Sequence, residues 1–370
     1  MRRCAIIQSV CNFGAGPLAG ALIIRGIPNM KTEIVTLDTA AELDAFVMAH
    51  PEGRYEQVSA WGRLKERDWR GIICRKDSGE ITGTMAVMFY PIHGTKYNLA
   101  FAPRGPIADR RDNETFETLV NAAKELGKTF NAFTLRIDPA VYEDDDTFRQ
   151  EALKQGFKID AIDDFTAFSA RMTYILDLKG KTPEELLAAF HTRTRYNIRL
   201  SQRKGVTIEV RGPEDAETFN EMMLTTASRD GFHARGADYY RRVLELFGEN
   251  SRMFFAMYEG KPVAGSIAVR FGPHTWSLYA GSTSNMSCKP NEALKWADIN
   301  WALEGGCEIY DFQGVEGYPT EDNPEIGLHK FKQGFNSEFK AYLGQMDLPL
   351  KPVAAKLIPV AQKLWVKIRG

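Results

Sequence analysis

Apolar residues along this chain follow two spacings, and each spacing predicts a different kind of element. Short apolar runs between turn residues predict strands, whereas apolar residues that recur at about every third or fourth position predict helices. In the first half the pattern predicts three strands, a long helix, a strand, a short helix and a further strand, in that order. The first six of these elements are expected at residues 70–75, 81–90, 97–102, 114–130, 133–137 and 147–155, and the last strand follows Gly156.

The second half of the chain repeats this order. Three strands, a helix, a strand, a helix and a last strand are expected at residues 253–258, 263–271, 276–280, 291–303, 308–312, 327–335 and 338–345. Ahead of them the pattern predicts a strand, one helical stretch, a second strand and two helices, at residues 174–178, 183–204, 206–210, 214–229 and 237–247. Thr182 and Glu185 flank Pro183 and predict a capping box that begins the helical stretch.

The same tetrapeptide, Lys-Gln-Gly-Phe, occurs at the same step of both halves, at residues 154–157 and 332–335. Its recurrence within the same order of elements indicates an internal duplication. The shared order is that of the N-acetyltransferase-like (GNAT) fold, a mixed sheet between helices. A length of 370 residues also exceeds one ordinary core. We therefore predict an α/β protein with two tandem GNAT-like domains, at residues 30–172 and 173–345.

The first 29 residues are expected to be an extension outside the fold. They weakly imitate a signal peptide, but Gln8, Asn12 and Pro17 interrupt the apolar run. No stretch reaches the length of a membrane span. Met30 immediately precedes the first credible strand, so the first domain is expected to begin there.

Composition narrows the classes of partner. The net charge is −1, so no global field attracts nucleic acid or membranes, and any RNA contact must come from a local basic patch. No DNA partner is expected. The 5 cysteines lack paired spacing and fit a reduced cytosol. The 6 histidines form no clustered motif, so we expect no metal.

Residues 310–335 are the most informative stretch of the chain. A strand-like run enters a turn at Gly314 and Gly317, and a short helix with several cations then ends at Gly334. A strand that stops beside a cationic helix is a common way to build an anion site. The same pattern also fits an ordinary strand and helix whose basic face is solvated.

Ordered motifs along most of residues 30–352 resemble the FemABX-type aminoacyltransferases, which add amino acids to peptidoglycan precursors. The most specific motifs are Tyr-Ala-Gly-Ser, Tyr-Asp-Phe-Gln-Gly and Phe-Lys-Gln-Gly-Phe, at residues 279–282, 310–314 and 331–335. Further matches lie at residues 57–61, 103–107, 136–139, 194–199 and 204–206. The resemblance implies that residues 346–370 return to complete the first domain.

The resemblance also implies a function. The donor would be an aminoacyl-tRNA acting as co-substrate, with no cofactor. The acceptor would be the stem-peptide amine of either UDP-MurNAc-pentapeptide or lipid II. Such a protein would be cytoplasmic and would make peripheral contact with the inner face of the membrane.

Site residues follow from the same resemblance. The acceptor phosphates would be bound from both halves of the chain, by Lys65, Arg235, Tyr239 and Tyr279. Trp69 would lie near the sugar, Lys332 would act near the donor, and the catalytic cleft would contain the carboxylates of Asp138 and Asp347. A basic cluster would contact tRNA, namely Arg193, Arg195, Arg199, Arg203 and Lys204.

Single residues also fit structural roles that involve neither binding nor catalysis. Lys65 or Arg235 alone could be a solvated surface charge, and Asp138 before Pro139 could cap the end of a strand. Arg235 and Tyr239 are four positions apart, so a helical turn would place them on one face.

Two other functions compete with aminoacyl transfer. One is a GNAT-type N-acyltransferase that uses an acyl-CoA donor, although the glycine-rich pyrophosphate loop of such enzymes has no good match in the sequence. The other is a non-catalytic immunity or scaffold relative of the same fold. The joint presence of Lys65, Arg235, Tyr239, Tyr279 and Lys332 argues against lost activity.

Overall fold

The computed structural model describes residues 23–25, 29–162, 168–283 and 287–369. Its strands, in chain order, are β1 (Ile23–Arg25), β2 (Met30–Val35), β3 (Asp68–Lys76), β4 (Ile81–Pro91), β5 (Asn98–Arg104), β6 (Ile107–Ala108), β7 (Ala132–Pro139), β8 (Lys158–Asp160), β9 (Met172–Asp177), β10 (Thr207–Arg211), β11 (Ser251–Tyr258), β12 (Lys261–Phe271), β13 (His274–Ser282), β14 (Ile309–Asp311), β15 (Glu338–Ala341) and β16 (Gln345–Pro349).

The helices, in chain order, are α1 (Ala41–Ala49), α2 (Ser59–Lys65), α3 (Asn113–Thr129), α4 (Asp146–Lys154), α5 (Pro183–Ala189), α6 (Thr192–Arg203), α7 (Ala216–Asp230), α8 (Ala237–Phe247), α9 (Pro290–Glu304), α10 (Ile326–Gln333) and α11 (Pro352–Arg369). The chain divides into two compact units. The N-terminal unit contains the described residues of 9–162 and 342–370, and the C-terminal unit contains those of 163–341.

The sheet of the N-terminal unit has the order β1-β2-β3-β4-β5-β7-β16-β8, and β6 pairs with β4. Strands β5 and β7 run parallel, and their register extends to the pair Arg104 and Pro139. Helix α3 covers this sheet because Leu119, Ala123 and Leu126, at helical spacing, join the same buried cluster as the strands. The Asp112 side chain begins the helix by accepting a hydrogen bond from the Thr115 amide.

The sheet of the C-terminal unit has the order β10-β11-β12-β13-β14-β9-β15. Strands β13 and β14 run parallel, but their register covers only His274 to Trp276 against Ile309 to Asp311. Strand β13 continues to Ser282, so β14 ends while its neighbour goes on. The residues that follow Asp311 therefore lie where the parallel pairing of β13 and β14 ends.

Each sheet contains a strand that lies between two others and is antiparallel to both. In the C-terminal sheet β9 lies between β14 and β15 and is antiparallel to both. In the N-terminal sheet β16 lies between β7 and β8 and is antiparallel to both. The segment after Tyr342 thus belongs to the N-terminal sheet.

Four elements differ from the sequence expectations. Ile23–Arg25 pairs with β2, so the sheet includes a piece of the segment expected to lie outside the fold, while residues 1–22 are outside the described residues. The helical stretch 183–204 is two helices, because Phe190 and His191 are extended and the His191 amide donates to the Gly334 carbonyl.

The last predicted strand, 338–345, is also wrong as a single element. It divides into β15 and β16, which pair in different sheets, with Gly344 at a φ of 97° between them. Only glycine adopts that region without strain, so the chain turns there. Helix α11 had no counterpart in the sequence analysis. Across the described ranges, no helix combines the length and apolar character that a membrane span requires.

Candidate functional site

Lys332 is a buried ammonium at the end of α10, with its side chain only 6% exposed. Its Nζ donates to the carbonyl oxygens of Gln313 at 2.6 Å and Gly314 at 2.8 Å. An ammonium has three N–H groups. Contacts within the described residues use two of them, which leaves one donor for a ligand.

The environment of Lys332 changes its proton affinity. Burial lowers the pKa of Lys332 from its ordinary value of 10.5 to about 7. The nearby ammonium of Lys295 acts in the same direction, whereas the carboxylate of Asp311 opposes the shift. At neutral pH both protonation states of Lys332 are therefore populated, as suits a group that handles protons or developing charge.

The turn after β14 holds these carbonyls in place. The Asp311 carboxylate is buried, and its Oδ1 accepts from the Gln313 amide at 2.7 Å and from the Thr173 hydroxyl. Gln313 adopts a φ of 62°, which is uncommon for a residue with a side chain. The carboxylate thus orients the turn whose carbonyls bind Lys332.

A second buried lysine lies in the same unit, and sequence reasoning missed it. Lys295 Nζ donates to Asp298 Oδ2 at 2.8 Å and to Ser277 Oγ at 2.5 Å. Asp298 also accepts from the Tyr310 hydroxyl at 3.0 Å and from the Ser266 hydroxyl at 2.7 Å. Burial raises the pKa of Tyr310 well above its usual range, and the Asp298 charge adds to the effect.

This network uses groups from four elements, one of which is β12 through Ser266. Lys295 and Asp298 come from α9, Tyr310 from β14 and Ser277 from β13. The carboxylate of Asp298 is fully buried and accepts three hydrogen bonds, one of them from Lys295. The network therefore fixes a positive charge close enough to influence Lys332.

His329 supports α10 rather than the chemistry. It is fully buried, its Nδ1 accepts from the Tyr174 hydroxyl at 3.0 Å, and its Nε2 donates to the Glu316 carbonyl at 3.3 Å. Burial lowers the pKa of His329 and raises that of Tyr174 to about 12, so both are neutral at pH 7. This pair attaches α10 to β9 and to the loop that precedes α10.

The two Lys-Gln-Gly-Phe copies differ in their surroundings. A Cβ on Gly334 would lie 2.3 Å from the Thr194 hydroxyl, so α10 approaches α6 too closely for another residue there. Lys332, two positions earlier, is buried. Lys154 in the other copy is 71% exposed and pairs with Glu151. A buried ammonium therefore belongs to the second copy.

The predicted acceptor residues of the C-terminal unit lie together. The Tyr279 hydroxyl donates to the Tyr239 hydroxyl at 3.1 Å, and the Arg235 guanidinium lies 5.7 Å from the Tyr239 ring centre. The expected shared helical turn is wrong, however. Gly236, at a φ of 94°, precedes α8, so Arg235 lies outside the helix. Its amide instead donates to the Tyr240 hydroxyl at 3.2 Å.

The predicted acceptor residues of the N-terminal unit behave differently from each other. Lys65 ends α2, and its Nζ lies 4.0 Å from the ring centre of Trp61, a cation–π contact. Trp69 is 1% exposed and packs against Gly62 and Gly71 in the core. A ring buried on this scale presents no face to a sugar, which corrects the prediction for Trp69.

Both predicted carboxylates of the N-terminal unit are held by arginines. Asp138 is buried, and its Oδ1 lies 3.2 Å from Nη1 of the equally buried Arg104. Asp347 accepts two hydrogen bonds of 2.6 Å from Arg136 on the neighbouring strand. This geometry favours structural roles for Asp138 and Asp347.

The predicted tRNA surface divides within α6. Arg195 donates to the carbonyls of Ala188 and Phe190 and so closes the end of α5. Lys204 donates to the Ser287 carbonyl at 3.0 Å. The remaining arginines of the cluster are exposed, and Arg203 lies 5.6 Å from the ring of exposed Tyr196. These exposed residues are Arg193, Arg199 and Arg203.

Residues that could hold a metal do not assemble in the part of the chain that the structure describes. No group of three or more histidine, cysteine, aspartate or glutamate side chains comes together there. The charged groups near Lys332 are instead arranged as ion pairs and hydrogen bonds.

Comparison with known proteins shows the family and the fold of the chain. The chain is 25% identical over 412 aligned residues to a protein of Staphylococcus aureus named lipid II:glycine glycyltransferase. The alignment covers 89% of this chain and 97% of that relative. The crystal structure of FemX superposes with a TM-score of 0.80 at 24% identity, covering 88% of this chain and 98% of that one.

A tandem GNAT protein from the clavulanic acid biosynthesis pathway superposes with a TM-score of 0.52 at 14% identity, covering 87% of this chain and 98% of that one. The two structural likenesses show the fold and confirm the predicted mixed sheets of tandem GNAT-like domains. A sequence profile of the FemAB family matches residues 39–261 and 257–363. With most of its length matched in this way, the chain belongs to the FemAB family.

Proposed function

We propose that this protein is an aminoacyltransferase that adds an amino acid to the stem-peptide amine of a peptidoglycan precursor. The observation that carries the proposal is Lys332, a buried ammonium with a lowered pKa and one N–H left for a ligand among the described contacts. The relative named lipid II:glycine glycyltransferase supports the substrate class.

The reaction needs positioning and charge stabilisation more than covalent help. The acceptor amine attacks the carbonyl carbon of an aminoacyl ester, a C–N bond forms, and the carbonyl oxygen becomes an oxyanion. Collapse breaks the ester C–O bond, the nitrogen loses a proton, and the leaving oxygen gains one. The remaining N–H of Lys332 is suited to donate to the oxyanion, because a pre-positioned donor in a dry site stabilises that charge strongly.

The donor in this proposal is an aminoacyl-tRNA. Helix α6 supports it, because its sequence holds four arginines and no acidic residue, and the next residue is Lys204. Exposed Arg193, Arg199 and Arg203, with Tyr196 beside Arg203, combine charge with an aromatic surface. Such combinations bind nucleic-acid backbones and unstacked bases. Arg195 and Lys204 contribute less because they donate to backbone carbonyls.

The acceptor in this proposal carries a diphosphate, either on a UDP-sugar or on a lipid carrier. Arg235 beside the paired hydroxyls of Tyr239 and Tyr279 offers a guanidinium and phenols to phosphate oxygens. Lys65, at the end of a short helix in the N-terminal unit, stays a prediction from the family resemblance. These residues recognise the phosphate groups, and the chemistry of the peptide amine is left to the surroundings of Lys332.

One reconstitution tests the proposal against its competitors. The full chain is incubated with mixed charged tRNA and either UDP-MurNAc-pentapeptide or lipid II, and the acceptor is weighed by mass spectrometry. A gain of one amino-acid residue that disappears after the tRNA is deacylated supports the proposal.

Two parallel reactions complete the design. Acetyl-CoA replaces the charged tRNA in one of them, and transfer of an acetyl group there would identify an ordinary GNAT enzyme instead. Lack of product with every donor and both acceptors would indicate a non-catalytic relative. The exposed variant Lys330→Met serves as an active control for the Lys332→Met protein in all reactions.

A further inference from the structure

Helix α11 carries an apolar surface that the rest of the N-terminal unit does not cover. The helix packs against β7 and buries Ala354 and Ile358. Val353, Leu357 and Val360 are 72%, 62% and 55% exposed, the largest group of exposed apolar side chains within one described element. Scattered exposed apolar residues are ordinary, whereas a contiguous set indicates a binding surface.

The exposed residues share one face of the helix. Their positions follow the spacing i, i+4 and i+7, which places them in a stripe along the axis. We define this set as the α11 stripe: Val353, Leu357 and Val360.

The charges of α11 all have one sign. Its 18 residues include four basic positions and no acidic one, although the whole chain has a net charge of −1. Lys356 is exposed and lies three positions after Val353 and four before Val360, which places a cation beside the stripe. An apolar stripe on a helix with only basic charges is the composition of a helix that lies in a membrane interface.

We propose that α11 binds the surface of an anionic lipid bilayer, with its axis in the plane of the interface and the α11 stripe among the acyl chains. Lys356 would then meet acidic head groups, and charge complementarity selects this occupant over a second copy of the same basic helix. The helix does not span the bilayer, in keeping with its length and charge. The inference rests on α11 alone and does not depend on the catalytic proposal.

The test measures binding of the full chain to vesicles that contain no peptidoglycan precursor. Sedimentation with vesicles of phosphatidylcholine alone is compared with vesicles that also contain phosphatidylglycerol. We expect binding to the anionic vesicles, with an affinity that falls as salt is raised. The double variant Leu357→Glu with Val360→Glu should bind at least about tenfold more weakly, because it places charges in the stripe.

Matched variants separate the contributions. Lys356→Gln removes one surface cation and should weaken binding about fivefold. Val210→Glu changes an equally exposed apolar residue in β10 and should bind as the unmodified chain does. Because all four positions are exposed, the variants are expected to keep the fold, and their thermal unfolding checks this.

Two outcomes would overturn the proposal. One is equal binding of the stripe variant and the unmodified chain to anionic vesicles. The other is absence of vesicle binding together with a concentration-dependent dimer that the stripe variant abolishes, which would make α11 an interface between copies. Because no precursor is present, either result leaves the aminoacyl-transfer proposal to its own reconstitution.

Discussion

Lys332 donates from its Nζ to the carbonyl oxygen of Gln313 at 2.6 Å, and this contact ties a buried ammonium to the residue two positions after β14. The carbonyl of Gly314 accepts a second bond from the same nitrogen. Carbonyl dipoles favour the ammonium form, whereas burial favours the neutral amine. The lowered pKa shows that burial dominates.

Lys332→Met should slow transfer far more than it weakens acceptor binding. Removing one donor to a developing oxyanion costs about 100-fold to 1,000-fold in kcat. The measurement is kcat and acceptor KM with a charged-tRNA donor. Lys330→Met is the matched control, because Lys330 lies on the same helix but is exposed and pairs with Glu321. A kcat within about threefold of the unmodified chain, with a strongly raised KM, would make Lys332 a binding residue.

The same substitution should stabilise the protein more at lower pH. The pKa of Lys332 is about 7 in the folded chain and 10.5 in the unfolded one. The unfolded chain binds more protons between these two pH values. The free-energy cost of burying Lys332 is therefore largest below about pH 7 and decreases toward about pH 10. We expect the free energy of unfolding of Lys332→Met, relative to the unmodified chain, to decrease as the pH rises through this window.

Urea unfolding at about pH 6.5 and about pH 9.5 measures the change. The lost hydrogen bonds to Gln313 and Gly314 affect both pH values alike, so the difference isolates the ionisation. A pH-independent difference would mean that Lys332 has an ordinary pKa in the folded chain.

Asp298→Asn should destabilise the C-terminal unit substantially. The substitution leaves the buried ammonium of Lys295 without its counter-charge, and breaking a buried pair in this way costs about 3–5 kcal/mol. Chemical unfolding gives the free energy directly. Glu321→Gln removes the carboxylate of an exposed pair on α10 and should cost at most about 1 kcal/mol. Similar costs for the two variants would contradict a buried, charged Lys295.

The order of elements could be predicted from the sequence because apolar spacing is a local property. The strands and helices around α3 and α9 come from periodic runs, and the repeated order revealed the duplication. Burial of a particular lysine is not local. Lys154 and Lys332 occupy the same tetrapeptide, yet one is exposed and the other is buried beside α6 and the β14 turn.

The same limit explains the missed network. Lys295 and Asp298 are three positions apart on a helix, a spacing that usually marks an exposed ion pair. Their burial depends on Ser277 and Tyr310, which are distant in sequence. Helix α11 was missed for a different reason. Pro359 inside its pattern predicts a break, but the helix continues past it.

Asp138→Asn should lower the free energy of unfolding substantially and reduce kcat little. Asp138 and Arg104 are both buried, and without the carboxylate charge the arginine loses its ion pair, at a cost of about 3 kcal/mol. Asp347→Asn, in a pair that is partly exposed, should cost about 1 kcal/mol. Urea unfolding and kcat are measured for both variants. A general base would show the reverse pattern, a large loss of kcat with unchanged stability.

Arg235→Ala should weaken binding of a phosphorylated acceptor about tenfold to a hundredfold, the usual effect of losing one charge-assisted contact. A stem peptide without phosphates should be affected little. Arg235→Lys should recover only part of the loss, because an ammonium cannot bind two oxygens as a guanidinium does.

Calorimetry with the nucleotide-linked acceptor and the free stem peptide decides the role of Arg235. Arg241→Ala is the control, since Arg241 lies on the adjacent α8 but pairs with Asp238 and Glu217. Arg235 differs because its guanidinium is exposed and lies beside the ring of Tyr239, where an added phosphate could meet both groups. Equal losses for the two acceptors would show that Arg235 supports the tyrosine cluster and makes no phosphate contact.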